Sequence, residues 1–280
     1  MTMILLLRAE CIKTFLKKRT YLGFLIILLV VPLVEIAMKI EGGRFTGASL
    51  RSLQQDFFFV GSLFNGWIVA HQLMNSLWVH IPLLISFVAG DQLAGEATAG
   101  TYRLLLIRPV SRTRIFFAKY LTTLVYTIVF VGFLGALSVG LALILMGTGD
   151  LLVFRDGILI LPASDVAWRF FAAYILAGWS MATIATIAFF FSSFVENAIG
   201  PIVATMGILI VLLIVGVLPV ELFEAVRPYL FTSHLNIWMG VFADPVDWSD
   251  ILRSLAWLSG YSAAFAAAAW MIFVRKDILT

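Results

Sequence analysis

Charge is scarce in this chain: 12% of its 280 residues are Asp, Glu, Lys or Arg, against roughly 25% in ordinary soluble domains. So few charges cannot cover a water-soluble surface of this size, which excludes a free globular domain. There is one cysteine, Cys11. No intramolecular disulfide can form, and nothing calls for an oxidising compartment. Three scattered histidines, His71, His80 and His234, have no acid cluster beside them and argue against a metal site. No G-x-x-x-x-G-K-[ST] stretch occurs, nor any Gly-Lys dipeptide, so a phosphate-cradling loop is missing. A cleavable signal peptide is not expected, because Arg8, Glu10, Lys13 and Lys17 interrupt the first apolar stretch. What remains is apolar, with 62% hydrophobic residues and a mean hydropathy of +1.03.

Runs of about 18 or more nearly uncharged residues recur, the length a helix needs to cross roughly 30 Å of hydrocarbon. They predict an all-α integral membrane protein forming a single domain with about six spans, near residues 21–38, 67–90, 119–146, 168–194, 197–218 and 255–274. Residues 1–20 precede the first span with helical period. Ile4, Leu5, Cys11, Ile12, Phe15 and Leu16 share one arc, and Glu10, Lys13, Thr14 and Lys17 lie opposite, as in an interfacial helix lying along the membrane. Glu35 stands four residues before Lys39 and is expected to pair with it at the far interface. Only Ser193 to Glu196 separate the fourth and fifth spans, which therefore form a tight antiparallel hairpin.

Orientation follows from where Lys and Arg fall. With the amino terminus inside, 12 basic residues lie in inner segments and 7 in the longer outer ones, while the acids lean outward. Both termini are expected in the cytoplasm, with the chain in the cell (inner or plasma) membrane.

The most informative segment is the cytoplasmic stretch between the second and third spans, residues 91–118. It holds a helix end near Gly95, an amphipathic piece from Thr101 to Ile107, a break at Pro109, and Ser111 as N-cap of the next span. Arg112 and Arg114 then fall in that helix's first turn. They oppose the positive end of its dipole, at roughly 0.3–1 kcal/mol each, so something must offset them.

Glu96, Gly100-Thr101, a Leu-rich turn, Arg108-Pro109-Val110-Ser111-Arg112 and Lys119 together resemble the signature loop of type-2 ABC transporter permeases. The likeness extends over the chain: an amphipathic first helix, six spans, a Ser-rich turn before Glu196-Asn197, an apolar outer loop and a closing Arg-Lys-Asp-Ile. The resemblance implies the transmembrane subunit of an ATP-driven exporter. Glu96, Gly100, Thr101, Arg103, Leu105, Arg108, Pro109 and Arg112 would dock on a cytosolic ABC ATPase present in two copies. A second permease copy or a related chain would complete the path. ATP and Mg would be bound by the ATPase and no cofactor by this chain; membrane lipids are expected neighbours and nucleic acid is not. The plain alternative for the loop is a basic connector.

Elsewhere, His71 and Asn75 share a face of the second span and His80 lies opposite beside Pro82. They are candidates for the substrate path, or simply polar glue between helices. Gly132, Gly135, Ala136 and Gly140, with Ser262, Ala266 and Ala269, are expected to let helices approach closely. Residues 219–254 form an outer loop too apolar for a free linker. It either dips back into the membrane or lies at the interface with Trp238. Alternative readings of the whole are a secondary transporter, whose buried acids would reduce here to Glu35, or a structural membrane subunit. No convergent acid–base or metal constellation marks an enzyme.

Overall fold

The computed structural model describes residues 2–50, 64–101, 110–154 and 158–276, with side chains omitted for 42–50. Its helices are α1 (Met3–Leu16), α2 (Tyr21–Leu50), α3 (Gly66–Leu77), α4 (Ile81–Thr98), α5 (Arg112–Met146), α6 (Ala163–Phe194), α7 (Ile199–Val217), α8 (Glu221–Val226) and α9 (Trp248–Arg275). Two short strands, β1 (Leu151–Phe154) and β2 (Ile158–Leu161), pair as an antiparallel hairpin in the loop before α6. The expected all-helical fold thus carries a small β-element. Among the described residues, five helices are long and apolar enough to cross a bilayer, and the bent pair α3–α4 brings the number to six.

α6 is the central post. It is the most deeply buried of the candidate spans and packs against α4, α5, α7, α9 and the 3-10 segment Phe231–Phe242. The reason is composition: small and hydroxyl-bearing residues such as Ser180, Thr183, Ala185 and Ala188 let its neighbours approach. Ser180 donates to Leu235 O at 2.9 Å, and Ser262 of α9 donates to Thr183 at 3.1 Å. Ser262 and the buried Ala269 therefore do serve close packing.

The second span is not the continuous helix expected over 67–90. It breaks after Leu77, and α3 and α4 meet at 53°. Pro82 stands in the first turn of α4, where its missing N–H is tolerated, and the helix restarts there. α4 is opened again further on. Ser192 of α6 donates to Gly90 O at 2.6 Å and accepts from the N–H groups of Leu93 (3.1 Å) and Ala94 (2.9 Å), so its hydroxyl is inserted into the helical ladder. α2 outruns its expected end at residue 38 by twelve residues.

At the hairpin end of the bundle, Asn65 caps α3 by accepting from Trp67 N and Ile68 N, and donates to Asp150 O. Gly66 N bonds Gly147 O at 3.0 Å. Arg169, near the start of α6, is buried and reaches across to the loop between α8 and α9. It donates to Val241 O (2.8 Å) and Ala243 O (2.7 Å) while its other nitrogens meet Asp165 at 2.7 Å. The apolar loop expected over 219–254 is accordingly not a free linker. Its middle, with Trp238 fully buried, packs into the bundle.

Candidate functional site: the charged end of the bundle

The opposite end concentrates ionised side chains. α1 lies with its polar face against the protein: Glu10 and Thr14 are buried, whereas Ile4, Leu5, Ile12 and Leu16 point outward. In a water-soluble protein that would be inverted. Beside a bilayer it is the orientation that gives the apolar arc to lipid and the charges to partners.

Those partners come from two other helices. Lys119 of α5 is 2% exposed and bonds Glu10 Oε2 at 2.8 Å and Glu96 Oε1 at 2.9 Å. Lys13 also pairs with Glu96. One turn away, Lys17 and Arg19 hold Asp91 at 2.9 and 2.6 Å. Gln92 donates to Thr14 at 3.2 Å, and Cys11 lies 3.5 Å from Thr122. Taking charges out of water is costly, and only this degree of mutual pairing makes the burial tolerable.

Glu96 sits on the last turn of α4, where the next segment begins. Gly100, at φ +64°, adopts the left-handed conformation that stops a helix. Thr101 N then bonds Glu96 O at 3.0 Å and Gly100 N bonds Ala97 O at 3.0 Å, a Schellman-type closure. The Thr101 hydroxyl reaches the Glu96 carboxylate. Glu96, Gly100 and Thr101 are therefore taken up in ending α4 and anchoring it to α1 and α5. Glu96 is 4% exposed, and within the chain its carboxylate is already bonded by Lys13, Lys119 and Thr101.

Ser111 caps α5 as expected, its side chain accepting from Arg114 N. Arg112 resolves its conflict with the helix dipole inside the chain. Its guanidinium donates to the carbonyls of Val274 (3.0 Å) and Lys276 (2.9 Å), the negative end of α9. Neither a lipid headgroup nor an acidic partner is needed for it. Of the other expected docking residues, Arg103, Leu105, Arg108 and Pro109 lie outside the described residues.

The histidines of the second span do not converge. His71 is packed among aromatic rings, edge-on to Phe242 at 4.9 Å and to Trp238 at 6.1 Å. Asn75 is partly exposed one turn along. His80 is exposed at the α3–α4 break, its Nδ1 3.1 Å from Ser76 O. Glu35 departs further from expectation. It is fully buried, and among the described residues neither carboxylate oxygen has a hydrogen-bond partner, so the Glu35–Lys39 surface pair is not formed. Nor do all the small residues of α5 serve packing. A Cβ on Gly132 or Gly140 would meet nothing within 4 Å; of these glycines only Gly135 is pressed against a neighbour, the Tyr174 ring. Among the described residues no cluster of three or more potential metal ligands occurs.

The helices define the class, a helical membrane protein with one end organised around buried ion pairs. The chain belongs to the family described as "Protein of unknown function (DUF2705)", whose model matches residues 52–279. It is 28% identical over 206 residues to the uncharacterized protein YhcI of Bacillus subtilis (strain 168). That match covers 70% of this chain and 64% of the relative, so the chain spans just under two thirds of the relative's length.

Proposed function

We propose that this chain is the membrane-spanning permease subunit of an ATP-driven ABC exporter, forming the substrate path and coupled to a separate cytosolic ATPase present in two copies. The observation that carries the reading is the way both roots of segment 102–109 are built into the bundle. The leading root is held by the Glu96–Lys119–Glu10–Lys13 cluster and the Thr101 closure. The trailing root is held by Ser111 and by Arg112 on the carboxyl end of α9. Displacement of the segment is passed at once to α1, α4, α5 and α9, as a coupling element requires. In this reading Arg103, Leu105, Arg108 and Pro109 meet the ATPase, while Glu96, Gly100, Thr101 and Arg112 fix the segment that carries them. The charged end faces the cytoplasm, and a second permease copy or related chain completes the path.

The test is purification of the tagged full-length chain from its native membrane in mild detergent, after in-cell crosslinking, with copurifying proteins identified by mass spectrometry. An ABC ATPase is expected in near-stoichiometric amount. Arg108→Ala is expected to weaken its retention by about 2–5 kcal/mol, as for one partner of a partly buried interfacial pair. Recovery of the chain without any ATPase would refute the proposal.

A second reading, a secondary transporter, is favoured by two observations. The α3–α4 span is broken, and Glu35 is a buried, unpartnered acid on α2. It makes the opposite forecast for the same experiment: no ATPase partner.

A further inference from the structure

The charged end holds more cations than its own acids engage. Among the described residues it carries ten basic side chains against four acids. Glu10, Asp91 and Glu96 are taken up by Lys13, Lys17, Arg19 and Lys119. Arg275 and Lys276, at the end of α9, are left over. Among the described residues neither has an ion pair or a side-chain hydrogen bond, and Glu196 in the α6–α7 turn pairs with neither. Nor does the helix end need them as caps, because the Arg112 guanidinium already holds the carbonyls of Val274 and Lys276.

These two cations rim a groove between the carboxyl ends of α6 and α9. The wall beside them is apolar, made of Ala268, Met271 and Ile272 on α9 with Phe194 on α6. Positions 268, 271, 272 and 275 share one face of a helix. Arg275 therefore stands one turn beyond the apolar wall, roughly 10 Å along the axis from Ala268 at 1.5 Å per residue. Met271 and Phe194 are about half exposed, so the wall is open to a ligand. Both helices are long and apolar enough to span a bilayer. A groove between their last turns lies where hydrocarbon gives way to headgroups.

Charge and polarity together decide what fits. A soluble anion would leave Phe194 and Met271 uncovered, and a zwitterionic lipid brings no net charge to two unpaired cations. An anionic phospholipid meets both demands. Its phosphate can sit between Arg275 and Lys276 while the ester region and first methylenes lie on the 268–272 face, as in basic pockets between spans.

We propose that the α6–α9 groove at the charged end binds an anionic phospholipid, with Arg275 and Lys276 holding the headgroup. The proposal is independent of the ATPase reading, because it concerns only a ligand site on this chain.

The test uses the full chain in phosphatidylcholine nanodiscs containing a trace of photoreactive phosphatidylglycerol, with a diazirine near the ester end of one acyl chain. A phosphatidylcholine with the same photoreactive chain is the comparator, and labelled peptides are mapped after irradiation. Each cation near a membrane surface is worth about a fivefold preference for anionic lipid. Labelling at Phe194, Met271 and Ile272 is thus expected to favour phosphatidylglycerol by roughly twentyfold. Arg275→Gln with Lys276→Gln should bring that preference close to one. Arg8→Gln with Lys18→Gln removes two other exposed cations of the same end and should leave it within about twofold. Ala268→Trp, which fills the groove and keeps both charges, should lower phosphatidylglycerol labelling there several-fold. A preference below fivefold in the parent chain would overturn the proposal. So would an equal loss in both pairs of glutamine variants, which would mark a diffuse surface charge, or labelling indifferent to Ala268→Trp. Displacement of the lipid by inorganic phosphate at about 10 mM would assign the groove to a free anion instead and would equally overturn it.

Discussion

Lys119→Met removes the cation at the centre of the buried charge cluster. Lys119 is 2% exposed and shared by Glu10 and Glu96, both themselves buried. Deleting one partner of a buried ion pair costs about 3–5 kcal/mol, mostly for the charge left behind. Glu96 would keep Lys13 and Thr101. Glu10 would lose the ammonium 2.8 Å away, its ion-pair partner among the described residues. One carboxylate rather than two is stranded, which places the loss near the lower figure, about 3 kcal/mol. At roughly 2–4 °C per kcal/mol for chains of a few hundred residues, that lowers the melting temperature by roughly 6–12 °C. Lys17→Met is the matched control. Lys17 is partly exposed and Asp91 would retain Arg19, so the expected cost is about 1 kcal/mol or less. Adding Glu10→Gln to Lys119→Met should recover more than half of the loss. The assay is thermal unfolding of the purified variants in one detergent, followed by intrinsic fluorescence and by aggregation. If Lys119→Met melts within 2 °C of the parent, or no lower than Lys17→Met, the cluster does not hold this end together.

Arg169→Met should free Val241 O and Ala243 O, costing about 3 kcal/mol and speeding proteolysis within residues 240–247; Arg169→Lys should rescue little, because one ammonium cannot replace the guanidinium's simultaneous bonds. Single cysteines at Ser111 and Ser249, in a Cys11→Ser background, are expected to react with a membrane-impermeant maleimide from opposite sides, Ser111 from the cytoplasmic side. Labelling of both from one face would refute the six-span topology.

The spans were legible because transfer from water to hydrocarbon is dominated by composition, and composition is what a window along the chain reads. Ser111 was legible as a cap because capping is a matter of three or four neighbouring residues. The break between α3 and α4 was not. Pro82 was visible, but a proline in the first turn of a new helix and one inside a kinked helix look alike in a single chain. β1 and β2 are four residues each and lack the alternation that marks a half-exposed strand. The amphipathic period of α1 was plain. Which face meets the protein is set by the surrounding solvent, and the bonding of Lys119 to Glu10, 109 positions apart, leaves no local trace. Glu35 misled for the same reason: an i,i+4 pair is the local answer, and the side chain turned inward instead.

The ionic cluster also has a place in time. Every ion-pair partner of Glu10, Lys13, Lys17, Arg19, Asp91, Glu96 and Lys119 named above lies within the first 119 residues. As the ribosome extends the chain, these charges can neutralise one another once α5 has entered the bilayer, before the β-hairpin or α6 exists. The nascent protein is spared a long interval with bare ions facing lipid. Arg112 is different, since its carbonyl partners at 274 and 276 are made more than 160 residues later. Synthesis thus builds the anchor of the 102–109 segment first and latches its far side only when α9 arrives.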